Sequence, residues 1–361
     1  MKLSYTGLAV LLGAQAALSA QEASLATVPA PQPGQVTQAA LIRSSSFSAT
    51  LPQSAQQAHK PAAQASTAPP PPMKRRQIDP SMVGYLDDSA VGNEVRLRFD
   101  AGFNMPRPDR AEYFYAGSST PSPATSAVQR TLNFQELYLS GEYAPFKYFS
   151  AFVMVPYRWI EPFFISSPGK SPDLFSGGGI SDVQAALKFA ALHTDSTQVT
   201  LELRASFPSG NGANGFGTNH YTVEPMVLMY RRLSDRAALE AEAGDSHPIG
   251  GTIFVNPPSP SQKWSADVAM YGLGPSYRLI TRDKYSFAPV LELVTWHVFG
   301  GLQTGQDNLV QSAAGINVFN AKLGGRINFS NGSSIYAGYG RGITSDIWYR
   351  NLFRIEYRRS F

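Results

Sequence analysis

The stretch from Asn351 to Phe361 constrains the fold most. It alternates strictly, with Phe353, Ile355, Tyr357 and Phe361 in one phase and Arg354, Glu356, Arg358 and Ser360 in the other. An extended strand sends alternate side chains to opposite faces, whereas a helix would scatter the same charges around its circumference. A strand that is apolar on one face, charged on the other and closed by an aromatic residue matches the last strand of a bacterial outer-membrane β-barrel.

The same two-residue period recurs from about Gly92 onward. Glu94–Ala101 sets four apolar residues against four charged ones, and Gln198–Phe207 repeats the pattern. Further strands are expected at Asn133–Tyr143, Phe149–Trp159, Asp182–Ala191, Thr222–Arg231, Ala237–Asp245, Trp264–Leu279, Tyr285–Phe299, Asn320–Phe329, Ser334–Arg341 and Ile347–Phe361. The sequence thus predicts an all-β fold: an antiparallel transmembrane barrel of about twelve strands, most near the length of about ten residues that a tilted strand needs to cross hydrocarbon.

The connections separate a membrane barrel from a soluble sandwich. Short turns at Ala144–Lys147, His193–Thr197, Leu233–Arg236, Thr281–Lys284 and Ser330–Ser333 alternate with long links at Asn104–Arg130, Ile160–Gly179, Pro208–Tyr221, Ser246–Lys263 and Gly300–Val318. Short turns at one end and long loops at the other are the outer-membrane arrangement, and a sandwich gives no reason for one end to carry every long loop.

The charged phase then points inward. Candidate lumen-lining residues are Arg96, Arg98, Glu136, Asp182, Glu202, Arg204, Glu224, Glu292, Lys322, Arg326, Arg354 and Glu356, with Glu142, Lys188, Glu240, Glu242, Asp267 and Arg358 in the same phase. An Arg or Lys turned toward lipid at the midplane would cost roughly 2–4 kcal/mol, which an inward orientation avoids. Tyr143, Tyr148, Tyr157, Trp159, Tyr230, Tyr285 and Phe361 fall near strand ends, where aromatic girdles are expected.

The N-terminal region carries other signals. Residues 1–20 combine Lys2, the apolar core Leu8–Leu12 and the small residues around Ala14-Gln15-Ala16, and read as a secretory signal peptide. Residues 21–76, rich in Ala, Pro, Gln, Ser and Thr, cannot bury enough apolar surface to offset ordering and read as a disordered periplasmic tail. Residues 77–91 regain apolar character. This segment either folds back into the lumen, with Asp87 and Asp88 meeting Arg96, Arg98 or Arg354, or lies against the periplasmic rim. The chain has no Cys, which excludes disulfides, thiolate metal sites and Cys nucleophiles. A net charge of only +4 over 361 residues is too diffuse to argue for nucleic acid.

Several turn-and-strand signatures carry a resemblance. Gly179-Ile180-Ser181-Asp182-Val183, Phe207-Pro208-Ser209-Gly210, Gly215-Phe216-Gly217-Thr218 and the strand holding Pro225 resemble the outer-membrane proteins named after the MetA pathway of phenol degradation, most clearly over Gly177–Gly250. Ser181 stands where that family more often has Gly. The resemblance implies a barrel for uptake of aromatic or other small apolar molecules and defines no catalytic set.

Catalysis finds little support. The only rim pair is Asp245 with His247, and no Ser or Asp motif accompanies it. No His, Asp or Glu spacing repeats, so the sequence calls for neither metal nor cofactor. Apolar clusters at Tyr113, Phe114, Tyr115, Phe163, Phe164, Phe175 and Phe254 lie in predicted outer loops and would form a hydrophobic mouth or a cap. The expected function is an outer-membrane channel or uptake protein; a closed structural or adhesive barrel is the alternative, and a rim-site hydrolase a more distant one. Expected partners are outer-membrane lipid and lipopolysaccharide, the barrel-assembly machinery through the strand ending at Phe361, and a small apolar solute.

Overall fold

The computed structural model describes residues 81–105, 128–165, 177–212, 215–250, 252–253, 262–304 and 310–361. The proposed signal peptide and tail lie outside these residues. Twelve long strands form a closed antiparallel barrel: β1 Glu94–Met105, β2 Val128–Phe146, β3 Phe149–Ile165, β4 Val183–His193, β5 Thr197–Phe207, β6 Tyr221–Arg232, β7 Ala237–Ile249, β8 Val268–Tyr277, β9 Tyr285–Val298, β10 Asn317–Phe329, β11 Ser333–Gly342 and β12 Asn351–Ser360. Each pairs with its sequence neighbours, and β1 closes the ring on β12, with Glu94 opposite Ser360 and Phe103 opposite Asn351. Two fragments, Gly177–Ile180 on β3 and Ile280–Thr281 on β9, complete a fourteen-stranded sheet. No α-helix occurs among the described residues.

The alternation places apolar side chains outside. Val95, Leu97, Phe99, Leu139, Val153, Leu187, Leu203, Leu273, Leu291, Leu323, Phe353 and Ile355 are all exposed. In water such a belt would be untenable, and in hydrocarbon it is the natural exterior of a barrel. Arg98, Asp100, Glu202, Arg204, Glu292, Arg326, Arg354 and Glu356 are buried on the opposite face.

The interior has two layers. Toward the short turns it is polar, built from residues such as Glu202, Glu240, Arg326 and Arg358. Toward the long loops the same inward phase turns apolar, where Leu132, Phe134, Ile160, Trp296, Val298, Val318 and Leu352 join Phe216, Trp348 and Tyr349 from the connections in one core. The charges of the inward phase thus lie beneath an apolar layer at the loop end.

Four further expectations change. The strand expected from Trp264 begins only at Val268, because residues 264–267 pair with the next loop: Leu302 N donates to Trp264 O and Phe299 N to Asp267 O. The strand expected from Ile347 begins at Asn351, because Trp348 turns over the interior to meet the Trp296 ring at 4.6 Å. Tyr230 is buried with the inward phase of β6 rather than standing in a girdle. Asp267 belongs to the outward phase, since Val268, Met270, Gly272 and Gly274 occupy the inward one.

Candidate functional site

Residues 81–92 enter the turn-end half of the barrel, rise to mid-height near Tyr85 and return to β1. This irregular backbone has no ladder partner, yet its buried N–H and C=O groups need hydrogen bonds. The barrel wall supplies them. Six consecutive amides donate to inward carboxylates: Met82 and Val83 to Glu240, Gly84, Tyr85 and Leu86 to Glu292, and Asp87 to Glu242. The carbonyls are met by cations and amides. Arg326 donates to Met82 O and Val83 O, Arg354 to Gly84 O, Lys188 to Asp88 O and Ala90 O, and Gln198 and Thr200 to Ser89 O. Hydrogen bonds to charged groups contribute about 1.5–3 kcal/mol each, so this lattice outweighs any single apolar contact of the segment.

Side chains complete the seat. Val83 and Leu86 are buried against β8, where a Cβ on Gly274 would lie 2.5 Å from Val83 and one on Gly272 would lie 2.3 Å from Leu86. Both glycines face inward in mid-strand, where glycine weakens a strand unless another chain must approach closely. Tyr85 lies under the Arg354 guanidinium at 4.1 Å and the Lys322 ammonium at 4.2 Å, and meets the Tyr336 ring edge-on at 6.0 Å. Burial pushes the Tyr85 hydroxyl well above its ordinary pKa, so it stays neutral between the two cations.

Asp87 pairs with Arg204 at 2.6 Å and Asp88 with Arg358 at 2.8 Å, not with Arg96, Arg98 or Arg354. Sequence could not assign these pairs because the rise of the segment sets them. Burial raises the Asp87 pKa, but Arg204, with Lys188 and Arg96 behind it, outweighs burial and holds the carboxyl below its ordinary value.

The structure brings most of the lumen candidates into one network. Glu356 bridges Arg326 at 2.7 Å and also meets Arg358 and Arg96; Arg354 is clamped on Asp100; Glu202 holds Arg204 at 2.6 Å. Arg98 stacks over Tyr138 at 3.9 Å, and Glu292 accepts from Tyr336 Oη at 2.9 Å as well as from the segment. Glu224 takes a bond from Ser246 at 3.2 Å, and Glu136 lies opposite Arg158 in the β2–β3 register.

Asp182 makes its own contacts at the loop end. The fourth strand breaks at Ser181-Asp182, and the carboxylate accepts from Gly210 N at 3.0 Å, Thr218 N at 2.7 Å and Thr218 Oγ1 at 2.7 Å. Asp182 is buried in the same phase as the inward Gln184, and there it ties a loop-end connection to the wall. Tyr113, Phe114, Tyr115, Phe175 and Phe254 lie outside the described residues, as do the side chains of Phe163 and Phe164, whose backbones extend β3. Sequence reasoning missed Gly272 and Gly274; their signal was glycine at two successive inward positions of one strand.

A cavity of about 50 Å³ remains beside the segment, among Arg96, Arg98, Phe152, Lys188, Glu202 and Lys322. A cavity of roughly 150 Å³ holds benzene, and a space a third of that size suits water and not an aromatic solute.

Closed sheet, apolar exterior and seated internal segment together define a membrane-type β-barrel. No family model matches the sequence, and no curated protein matches it. Among solved structures the chain is similar to an outer-membrane channel from Pseudomonas putida F1, at 15% identity over 81% of this chain and 99% of the channel, with a TM-score of 0.47. It is also similar to the NanC porin, at 10% identity over 75% of this chain and 100% of that one with a TM-score of 0.40. The β-domain of the Bordetella autotransporter BrkA gives 13% identity over 75% and 100%, with a TM-score of 0.44. A channel, a porin and an autotransporter domain share this likeness, which extends to barrel shape alone.

Proposed function

We propose that the protein is an outer-membrane channel of the MetA-pathway type for small apolar or aromatic molecules, with residues 81–92 closing its turn-end half. One observation carries this reading. The occupant of the lumen is not part of the sheet: it enters and leaves at the turn end and is held by side chains, so it can withdraw without breaking one ladder hydrogen bond of the barrel. The loop-end half is filled by aromatic side chains, Trp264, Trp296, Trp348 and Phe216 among them, so a solute passing there meets apolar surface, which supports an apolar solute over a sugar or an ion. No nucleophile with an oriented base was found among the described residues, and we assign no catalysis. The site we assign to passage is the polar wall itself, from Arg96 and Arg98 to Arg354 and Glu356.

Planar-bilayer conductance tests the reading. Removing residues 77–88 should turn a silent barrel into a conducting one, and an unchanged conductance in a correctly inserted deletion would overturn it. The second reading, a closed structural barrel, is favoured by the ion pairs that Glu356 makes with Arg326, Arg358 and Arg96, and it predicts that the deletion stays silent or fails to fold.

A further inference from the structure

A second cluster lies at the loop-end rim, on the outside of the barrel. Asp245 and His247 are alternate residues of β7 and share its outward face, while Ser246 between them is buried. The β7–β8 register sets Ser246 opposite Val268 and Asp245 opposite Ala269. Asp267, one residue before β8, therefore falls beside His247. Ligand atoms of all three residues lie within 4.8 Å of one another, and His247 Nδ1 is 2.6 Å from Asp267 Oδ1. Asp245 Oδ1 is shielded from solvent and has no hydrogen-bond partner.

The surroundings sharpen the chemistry. Among the described residues neither Asp245 nor Asp267 pairs with a Lys or Arg, and the only ion-pair contact of the group is internal, His247 with Asp267. Along the same outward row, Ala269 is opposite His297 and His297 opposite Asn317, whose Oδ1 is 2.8 Å from His297 Nδ1. Ala269 itself is buried, whereas the His247 side chain is 55% exposed and Asp267 27%, so the cluster is reached from solvent through His247. Two neighbouring carboxylates facing out repel each other unless a cation joins them.

We propose that Asp245, His247 and Asp267 form a divalent-cation site on the outer rim. One imidazole and two carboxylates suit a borderline cation such as Zn²⁺, and three protein donors leave coordination positions open. Ca²⁺ and Mg²⁺ favour all-oxygen shells and bind such a set more weakly. The pair Asp245 and His247 is legible in the sequence, but the third donor is not, because Asp267 comes from the next strand and only the β7–β8 register brings it beside His247.

The test uses the full chain in detergent, stripped with a chelator and titrated with Zn²⁺ by calorimetry, with folding checked by heat-modifiable migration on gels. One Zn²⁺ should bind per chain, with Ca²⁺ at least about tenfold weaker. Asp245→Asn and Asp267→Asn should each weaken Zn²⁺ binding by about tenfold or more, and His247→Ala should abolish it. Asp195→Asn, on a turn at the opposite end, should change nothing. Absence of saturable Zn²⁺ binding to the folded chain would overturn the site, as would binding that survives both Asn substitutions or His247→Ala.

Discussion

The two halves of the barrel interior follow one rule of alternation and come out chemically opposite. At the turn end, inward Glu240, Glu242, Glu292, Arg326, Arg354 and Arg358 surround a stretch of irregular backbone. At the loop end, inward Phe134, Trp296, Val298 and Leu352 pack on Phe216, Trp348 and Tyr349. The difference teaches what each filling needs. Irregular backbone leaves amides and carbonyls that an apolar wall cannot answer, at about 1–3 kcal/mol for each buried group left unmet. Folded-in aromatic side chains ask only for apolar area, at about 25 cal/mol per Å² buried. Wall chemistry thus follows the occupant, and the charges that read as a channel lining serve first as the solvation shell of residues 81–92.

The largest expected effect separates the two halves directly. Glu292→Ala removes the acceptor of three amides and of Tyr336 Oη. It should loosen the segment by about 4 kcal/mol. A cysteine introduced at Leu86, in a chain without native cysteines, should then become reactive toward a soluble thiol reagent. Trp296→Ala, at the loop end, should cost about 3–5 kcal/mol of barrel stability and leave that cysteine protected. Equal reactivity in both variants would dissolve the distinction between the halves.

A smaller effect is expected from Gly272→Val. The new side chain would meet Leu86, and overpacking of this kind costs about 1–3 kcal/mol. Conductance should rise in Gly272→Val and stay low when Leu86→Ala is added, because the second change makes room for the first.

Acid should act in the same direction through Asp87. Its folded pKa is depressed, so its contribution is fully present above the ordinary carboxylate value of about 4 and is lost as pH falls through the lower folded value. Channel opening or Leu86Cys-type labelling should increase below about pH 4, and Asp87→Asn should flatten that part of the profile. An unaltered profile would place the acid response elsewhere.

The smallest effect belongs to the loop end. Asp182→Asn keeps one acceptor oxygen and loses the charge that holds Gly210 N, Thr218 N and Thr218 Oγ1. Local opening should become easier by about 1–2 kcal/mol, read as faster amide exchange at Gly210 and Thr218, with no change in conductance.

The sequence by itself determined the strand period, the even ring, the outward apolar belt and the inward placement of residues such as Arg98, Glu202, Arg326 and Glu356. Those follow from alternation, which is local and survives any change of partner. Tertiary structure decided the rest. Asp87 meets Arg204 and Asp88 meets Arg358 because the segment reaches a particular height. Asp182 found its partners on a loop and not in the ion-pair network, Tyr230 turned inward with β6, and Asp267 fell outward because Val268, Met270 and Gly272 take the inward phase of β8. The apolar upper layer was partly legible, since Val294, Trp296 and Val298 continue the phase of Glu292. The residues that fold in from the connections, Phe216, Trp348 and Tyr349, were not. A loop carries no period to read, and only the closed ring around it fixes which of its side chains has water, lipid or the lumen for a neighbour.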